Sequence, residues 1–138
     1  MVLFWDEDHM VRHIYLDTEH SAHPKPSWFG ESVGHYEGGD TLVVDTIGLN
    51  DRTFVDSYLT PHTDKLHVIE RYRLVEGGKS LEVSVHVEDP GAFAMAWNAR
   101  QHYNRSATEP REQVCAENNS GWFGYDVQPI PQAAKPDF

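Results

Sequence analysis

Three side chains in the sequence could together move a proton to or from a bound molecule, namely Glu70, His35 and Tyr72. A carboxylate held among branched aliphatic side chains is desolvated, and desolvation raises a carboxyl pKa toward the range useful to a general acid or base. An imidazole beside it is the usual proton partner, and a phenol can donate a hydrogen bond to a developing oxyanion. Glu70 sits in HVIERYRLV, where the residues two positions away on either side are Val68 and Tyr72. A strand would therefore present all three on one face. Each residue also has a structural reading. Glu70 could be solvated at a strand end or paired with a buried arginine such as Arg100, and His35 could be a satisfied core histidine near a turn.

Nine histidines in 138 residues invite a metal reading, above all PHTDKLHVIER with His62, Asp64, His67 and Glu70. The spacing opposes it. His67 and Glu70 differ by three, so on a regular strand they point to opposite faces unless a bulge intervenes. The sequence has no HxH pair, no HExxH, no CxxC and no EF-hand loop. His20 and His23 fall in a loop, where spacing constrains nothing. A copper, zinc or iron site would have to be assembled in three dimensions from His62, His67 and His35, or with His102. The expectation is no cofactor, with a metal-dependent oxidoreductase or hydrolase as the alternative.

Other chemistries have less support. There is no GxSxG elbow, and Cys115 lies beside Glu112 and Glu117, which disfavour a thiolate. The absence of GxGxxG and Walker loops argues against nucleotide cofactors. Trp28, Trp97 and Tyr103 are the candidate substrate-binding aromatics, and GWFGY (Trp122, Phe123, Tyr125) could stack on a ligand in the same way. The alternative for these rings is to plug the end of a barrel.

Strands must position these residues. Period-two runs between Gly, Pro and Asp punctuation predict strands at Val2–Trp5, Met10–Asp17, Ser32–Glu37, Asp40–Ile47, Lys65–Glu76, Lys79–Glu88 and Met95–Asn104, with a further one near Gln113–Ala116. The segments ESVGHYEGGDTLVVDT and ERYRLVEGGKSLEVSV match at Glu, EGG, Leu and Val. Gly-Gly between alternating runs signals a two-residue hairpin, because both central residues need positive φ. With Gly77-Gly78 as the loop, Leu74 faces Leu81, Tyr72 faces Val83 and Glu70 faces Val85, all buried on one side. Arg73 then faces Glu82 and His67 faces Glu88 on the other side. With Gly38-Gly39 as the loop, His35 faces Leu42 and Val33 faces Val44, which turns His35 inward. A slip of one residue would reverse all of these faces.

The predicted fold is all-β, an antiparallel barrel or strongly curved sheet of about eight strands, lipocalin-like or a similar small barrel. It spans residues 1–125 as a single domain, and 126–138 form an extended proline-containing tail. Lys and Arg total 11 against 22 for Asp and Glu, a net charge of -11. That balance disfavours nucleic acid and anionic lipid as partners and leaves a neutral or cationic small ligand. One cysteine allows no internal disulfide, no apolar run is long enough to span a membrane, and a homodimer is compatible. The opening MVLFWDEDHMVR has no basic leader region. The chain as written thus reads as cytoplasmic, or as periplasmic or secreted if a leader has been removed.

PSWFGESVGHYEGGDTLVVDTIGLNDRTFVD, PHTDKLHVIERYRLV and CAENN resemble a broad group of uncharacterised bacterial proteins. Members carry strings of the type W-x-G-x-S-x-G-x-W-E-G-D-T-L-V-V-D-T followed by P-H-S-D-x-L-H-V-x-E-R. The likeness covers roughly Trp28 to Asn119 and departs at Tyr36, where the group has Trp, and in the extra glycine before Asp40. It implies a bacterial source and, for many members, export, but no established activity. The function expected from the residues is small-molecule binding, with cofactor-independent acid–base catalysis on an apolar or aromatic substrate. The further alternative is a non-catalytic ligand carrier.

Overall fold

The computed structural model describes residues 1–5 and 10–108. Seven strands form one sheet in sequence order: β1 (Val2–Trp5), β2 (Met10–Leu16), β3 (Glu31–Glu37), β4 (Thr41–Ile47), β5 (His67–Val75), β6 (Ser80–Glu88) and β7 (Trp97–Asn104). The sheet curls through 223° into a half-barrel. Among the described residues, helix is limited to one 3-10 turn at Glu76–Gly78. The expected strand near Gln113–Ala116, the boundary at residue 125 and the tail lie outside the described residues. Neighbouring strands pair antiparallel except β2 and β3, which run parallel over three residue pairs. A parallel step needs a long crossover, and residues 17–30 supply it.

Alternation divides the sheet into two faces. Ile14, Leu42 and Val44 form the centre of the core face, with Leu3, Leu16 and Tyr72 packed against them. Val83 and Val87 extend the buried surface along β6.

The β5–β6 hairpin has the register anticipated from Gly77-Gly78. Leu74 pairs with Leu81, Tyr72 with Val83, Glu70 with Val85, Arg73 with Glu82 and His67 with Glu88. Both glycines have positive φ (67° and 86°), but the expected two-residue loop is not what closes the hairpin: Glu76, Gly77, Gly78 and Lys79 separate the last pair, Val75 and Ser80, and Glu76 also has positive φ (54°). The expected burial of Leu74 fails, since this side chain is 65% exposed. An inward orientation buries a residue only where something covers it, and the packed cluster sits two rows away, around Val44.

The β3–β4 hairpin corrects the expected register by one residue. Three residues, Gly38, Gly39 and Asp40, separate the last pair, Glu37 and Thr41, so Gly34 faces Val44 and His35 faces Val43. The shift turns His35 to the outer face and brings Gly34 onto the core face. There a Cβ would lie 2.9 Å from Ile14 Cγ2 and 3.0 Å from the Val43 carbonyl oxygen, so the parallel seam closes over a glycine.

Gly30, where the crossover enters β3, is under a stricter constraint. Its φ is +64°, and a Cβ would lie 2.5 Å from the Ile47 carbonyl oxygen, whereas at Gly39 (φ +82°) there is open space. Gly30→Ala should therefore cost about 3 kcal/mol, and Gly39→Ala only about 1 kcal/mol for the backbone conformation. Urea unfolding of the two variants checks the difference, and equal losses would mean that the crossover shifts freely away from Ile47.

Candidate functional site

Glu70 lies on the core face, between Val44 of β4 and Val85 of β6. It is not an isolated carboxylate. Arg12 Nη2, from β2, is 2.5 Å from Glu70 Oε2, and the two side chains are only 12% and 14% exposed. Tyr72 Oη donates to Glu70 Oε1 at 2.7 Å. The same guanidinium donates from Nε to Ser32 Oγ (3.0 Å) and from Nη2 to Thr46 Oγ1 (2.5 Å), and those two hydroxyls lie 3.0 Å apart. Arg12 thus reaches across β3 and β4 to β5. Glu70 Oε2 is nevertheless a buried oxygen without a properly directed hydrogen bond among the described residues. Arg12 Nη2 is the charge that meets it there.

The arginine anticipated as a partner, Arg100, is instead on the outer face, 3.7 Å from Glu82. Tyr72 keeps the expected position beside Glu70, but burial first, and then the adjacent carboxylate charge, raise its pKa. Its proton is committed to Glu70 and not held ready for an oxyanion.

An open groove of about 250 Å³ lies against this pair. Trp5, Met10, Trp28, Phe29, Leu49 and Val68 give it apolar walls, and Arg12, Thr46 and Glu70 supply its polar floor. Of the three aromatics singled out from the sequence, Trp28 borders this groove. Trp97 faces Val87 and meets Phe93 edge-on at 5.9 Å, while Tyr103 faces Leu81 near the Leu74 end of the sheet. Trp28 and Phe29 reach the groove because the crossover is pinned on both sides of them. Ser27 bridges to the chain at 48–50 (its N–H to Gly48 O at 3.0 Å, its carbonyl from Asn50 N–H at 2.9 Å), and Gly30 turns the chain into β3.

Sequence reasoning missed Arg12, Ser32, Thr46 and Phe29. A signal for Arg12 was present: it shares strand parity with Ile14 and Leu16, so it is a charged intruder on an apolar face, the same mark that identified Glu70.

The histidines are distributed elsewhere. His35 is on the outer face, 57% exposed and 3.6 Å from Glu37, away from Glu70. His62 is buried; its Nδ1 donates to the Thr63 carbonyl at 2.8 Å and its Nε2 meets Thr53 Oγ1 at 2.6 Å, the pattern of a satisfied core histidine. His67 Nε2 donates to Asp45 Oδ1 at 2.9 Å. The alternative metal set His35, His62 and His67 is therefore not brought together. Among the described residues, no group of three His, Cys, Asp or Glu has metal-holding geometry.

What the outer face does carry is an alternating string of carboxylates and imidazoles. His20, from the crossover, meets Glu31 Oε1 at 3.2 Å and Asp45 Oδ1 at 2.9 Å. Asp45 also accepts from His67, whose Nδ1 is 3.8 Å from Glu88, and Glu88 pairs with His86 at 2.9 Å. The Ser21 hydroxyl and N–H hold the Glu31 carboxyl below its ordinary range. Glu88 is held low by its hydrogen bond from His86, and His86 is raised by Glu88 and then by Asn98.

The string makes stability pH-dependent, with a defined sign. The carboxylates contribute above their ordinary value of 4.5, and that contribution is lost as pH falls through their lowered folded values. His86 contributes below its ordinary value of 6.5, and its contribution is lost as pH rises through the raised folded value. The stability difference between the parent and His86→Gln should thus be largest near pH 6 and shrink toward pH 8.5 in urea titrations. A difference that stays constant or grows with pH would contradict the pairing with Glu88.

No protein family matches the chain, and neither a curated protein nor a solved structure resembles it significantly.

Proposed function

We propose that the protein binds a small, mostly apolar or aromatic molecule in the groove above the Arg12–Glu70 pair. The observation that carries this reading is the contrast between walls and floor. Trp28 is 59% exposed and Phe29 43%, beside Trp5, Met10 and Leu49, while the two charges at the floor neutralise one another. Large rings left in water around a concavity gain by being covered. Burying about 200 Å² of such surface is worth about 5 kcal/mol before the cost of association is subtracted. The volume of about 250 Å³ suits a molecule of one or two rings, below the usual span of drug-sized sites.

Acid–base catalysis by Glu70 is the weaker reading. The carboxylate is engaged by a guanidinium 2.5 Å away and by the Tyr72 hydroxyl, so it is not free to exchange a proton with a ligand. His35, its intended proton partner, is on the other face. Binding without turnover needs neither a freed carboxylate nor a second proton carrier.

Tryptophan fluorescence titrated with naphthalene tests the site. Trp28→Ala should weaken binding about tenfold, whereas Tyr103→Ala, at the far end of the sheet, should leave it within twofold. Unchanged affinity in Trp28→Ala would place the ligand elsewhere.

A further inference from the structure

The outer face of β5, β6 and β7 gathers cations on a chain whose net charge is -11. The register sets Arg71 beside Ser84 and Ser84 beside Arg100, one residue from each strand in a single row. Neighbouring strands lie about 4.8 Å apart, so the two arginines flank the serine hydroxyl closely enough for their long stems to converge over it. Arg73 and His102 stand in the adjoining row, on either side of Glu82. An open depression of about 370 Å³ lies over the first row, with Arg71, Ser84, His86, Asn98 and Arg100 as its polar lining.

That lining is made of donors, and among the described residues no carboxylate belongs to it. Arg71 has Glu37, and Arg100 has Glu82, at 3.7 Å, in both cases beyond hydrogen-bond distance. Glu82 is also shared with Arg73 (3.7 Å) and His102 (3.4 Å), so one carboxylate faces two guanidinium groups and an imidazole. His86 has an oxygen at each ring nitrogen, Asn98 Oδ1 at 2.8 Å and Glu88 Oε1 at 2.9 Å, an arrangement that favours the imidazolium. With its oxygen turned to His86, Asn98 presents an amide N–H group, and Ser84 adds a hydroxyl.

We propose that this depression binds the phosphate group of a phosphate monoester. Its oxygens accept from Arg71 on one side and Arg100 on the other, and from the Ser84 hydroxyl and Asn98 amide between them. A monoester carries close to two negative charges at pH 7, which matches two guanidinium groups. A carboxylate has two oxygens in one plane, enough for one arginine but not for both. A sulfate ester has the tetrahedral shape with a single charge. The overall negative charge opposes an anion only weakly here, because at physiological ionic strength exposed charges beyond about 8 Å are largely screened. The depression is on the face opposite the Arg12–Glu70 groove, so this site stands apart from the binding reading above.

The experiment is an NMR titration of the isotope-labelled full chain at pH 7 and constant ionic strength with methyl phosphate, methyl sulfate and acetate. The amide signals of Arg71, Ser84 and Arg100 report on the site, and none of the probes has a ring to enter the groove. Methyl phosphate should shift these signals saturably and bind about tenfold tighter than methyl sulfate or acetate. Arg71→Gln and Arg100→Gln should each weaken it about tenfold, the loss of one charge-assisted contact. Lys65→Gln, which removes an exposed charge outside the depression, should leave it within twofold. No saturable shift, three anions that bind alike, or methyl sulfate or acetate as the tightest would overturn the assignment. So would arginine variants that bind like the parent, or a loss in Lys65→Gln equal to theirs. The comparison of the three anions on the parent decides the matter even if a variant does not fold.

Discussion

The ion pair between Arg12 and Glu70 is the constraint on which the rest of the structure depends. The β2–β3 seam is parallel and only three residue pairs long, the weakest junction in the sheet. Arg12 starts on β2 and bonds to Ser32 on β3, Thr46 on β4 and Glu70 on β5, so one side chain fastens four consecutive strands. A buried ion pair contributes little net stability compared with a hydrophobic replacement, because both charges had to be desolvated. Its leverage is different: removing either partner strands the other in a dry site, which costs several kcal/mol. The pair therefore selects this arrangement of strands more than it deepens the energy well.

The groove follows from that arrangement. Once Arg12 draws β2 against β3, Ile14 and Leu16 close over Gly34, where a Cβ would be 2.9 Å from Ile14 Cγ2. The crossover at 17–30 must then lie across the sheet. On the outer face it is tied by His20 and Ser21 to Glu31 and Asp45, and near its end Ser27 and Gly30 deliver Trp28 and Phe29 to the groove. The same pair leaves the floor polar but neutral. Elsewhere Asp89 does comparable work for the loop before β5, accepting from Thr63 N–H at 2.6 Å and Thr63 Oγ1 at 2.7 Å. Desolvation pushes its carboxyl up, but the combined hydrogen bonds from Thr63, Gly91 and Ala92 outweigh that and hold it low.

The fold class and the β5–β6 register were legible because local rules suffice for them: alternating side chains set the faces, and two glycines of positive φ mark the centre of the turn. The β3–β4 register was not, because Asp40 joins the two glycines to make a three-residue loop, and one added residue exchanges the faces. That exchange removed His35 from the site. Glu70 was found as a polar residue among aliphatics, and Tyr72 beside it by parity alone. Arg12 escaped, although it carries the same mark, because its link to Glu70 runs through a parallel seam and a crossover that no local pattern announces. Trp28 was identified by its chemistry. Trp97 and Tyr103, of the same chemistry, lie at other places along the core face, a distinction that depends on where the crossover folds back.

A double-mutant cycle on Arg12 and Glu70 addresses the central interaction directly. Arg12→Met, Glu70→Gln and the double variant would be compared with the parent by urea unfolding at pH 7. Each single change should cost about 3 kcal/mol, because it leaves a buried charge or its lost partner uncompensated, and the double variant should cost little more than either alone. The coupling should then be about 2 kcal/mol or more. Single losses that simply add, with coupling near zero, would show that Arg12 and Glu70 act independently and that the pair does not hold the sheet together.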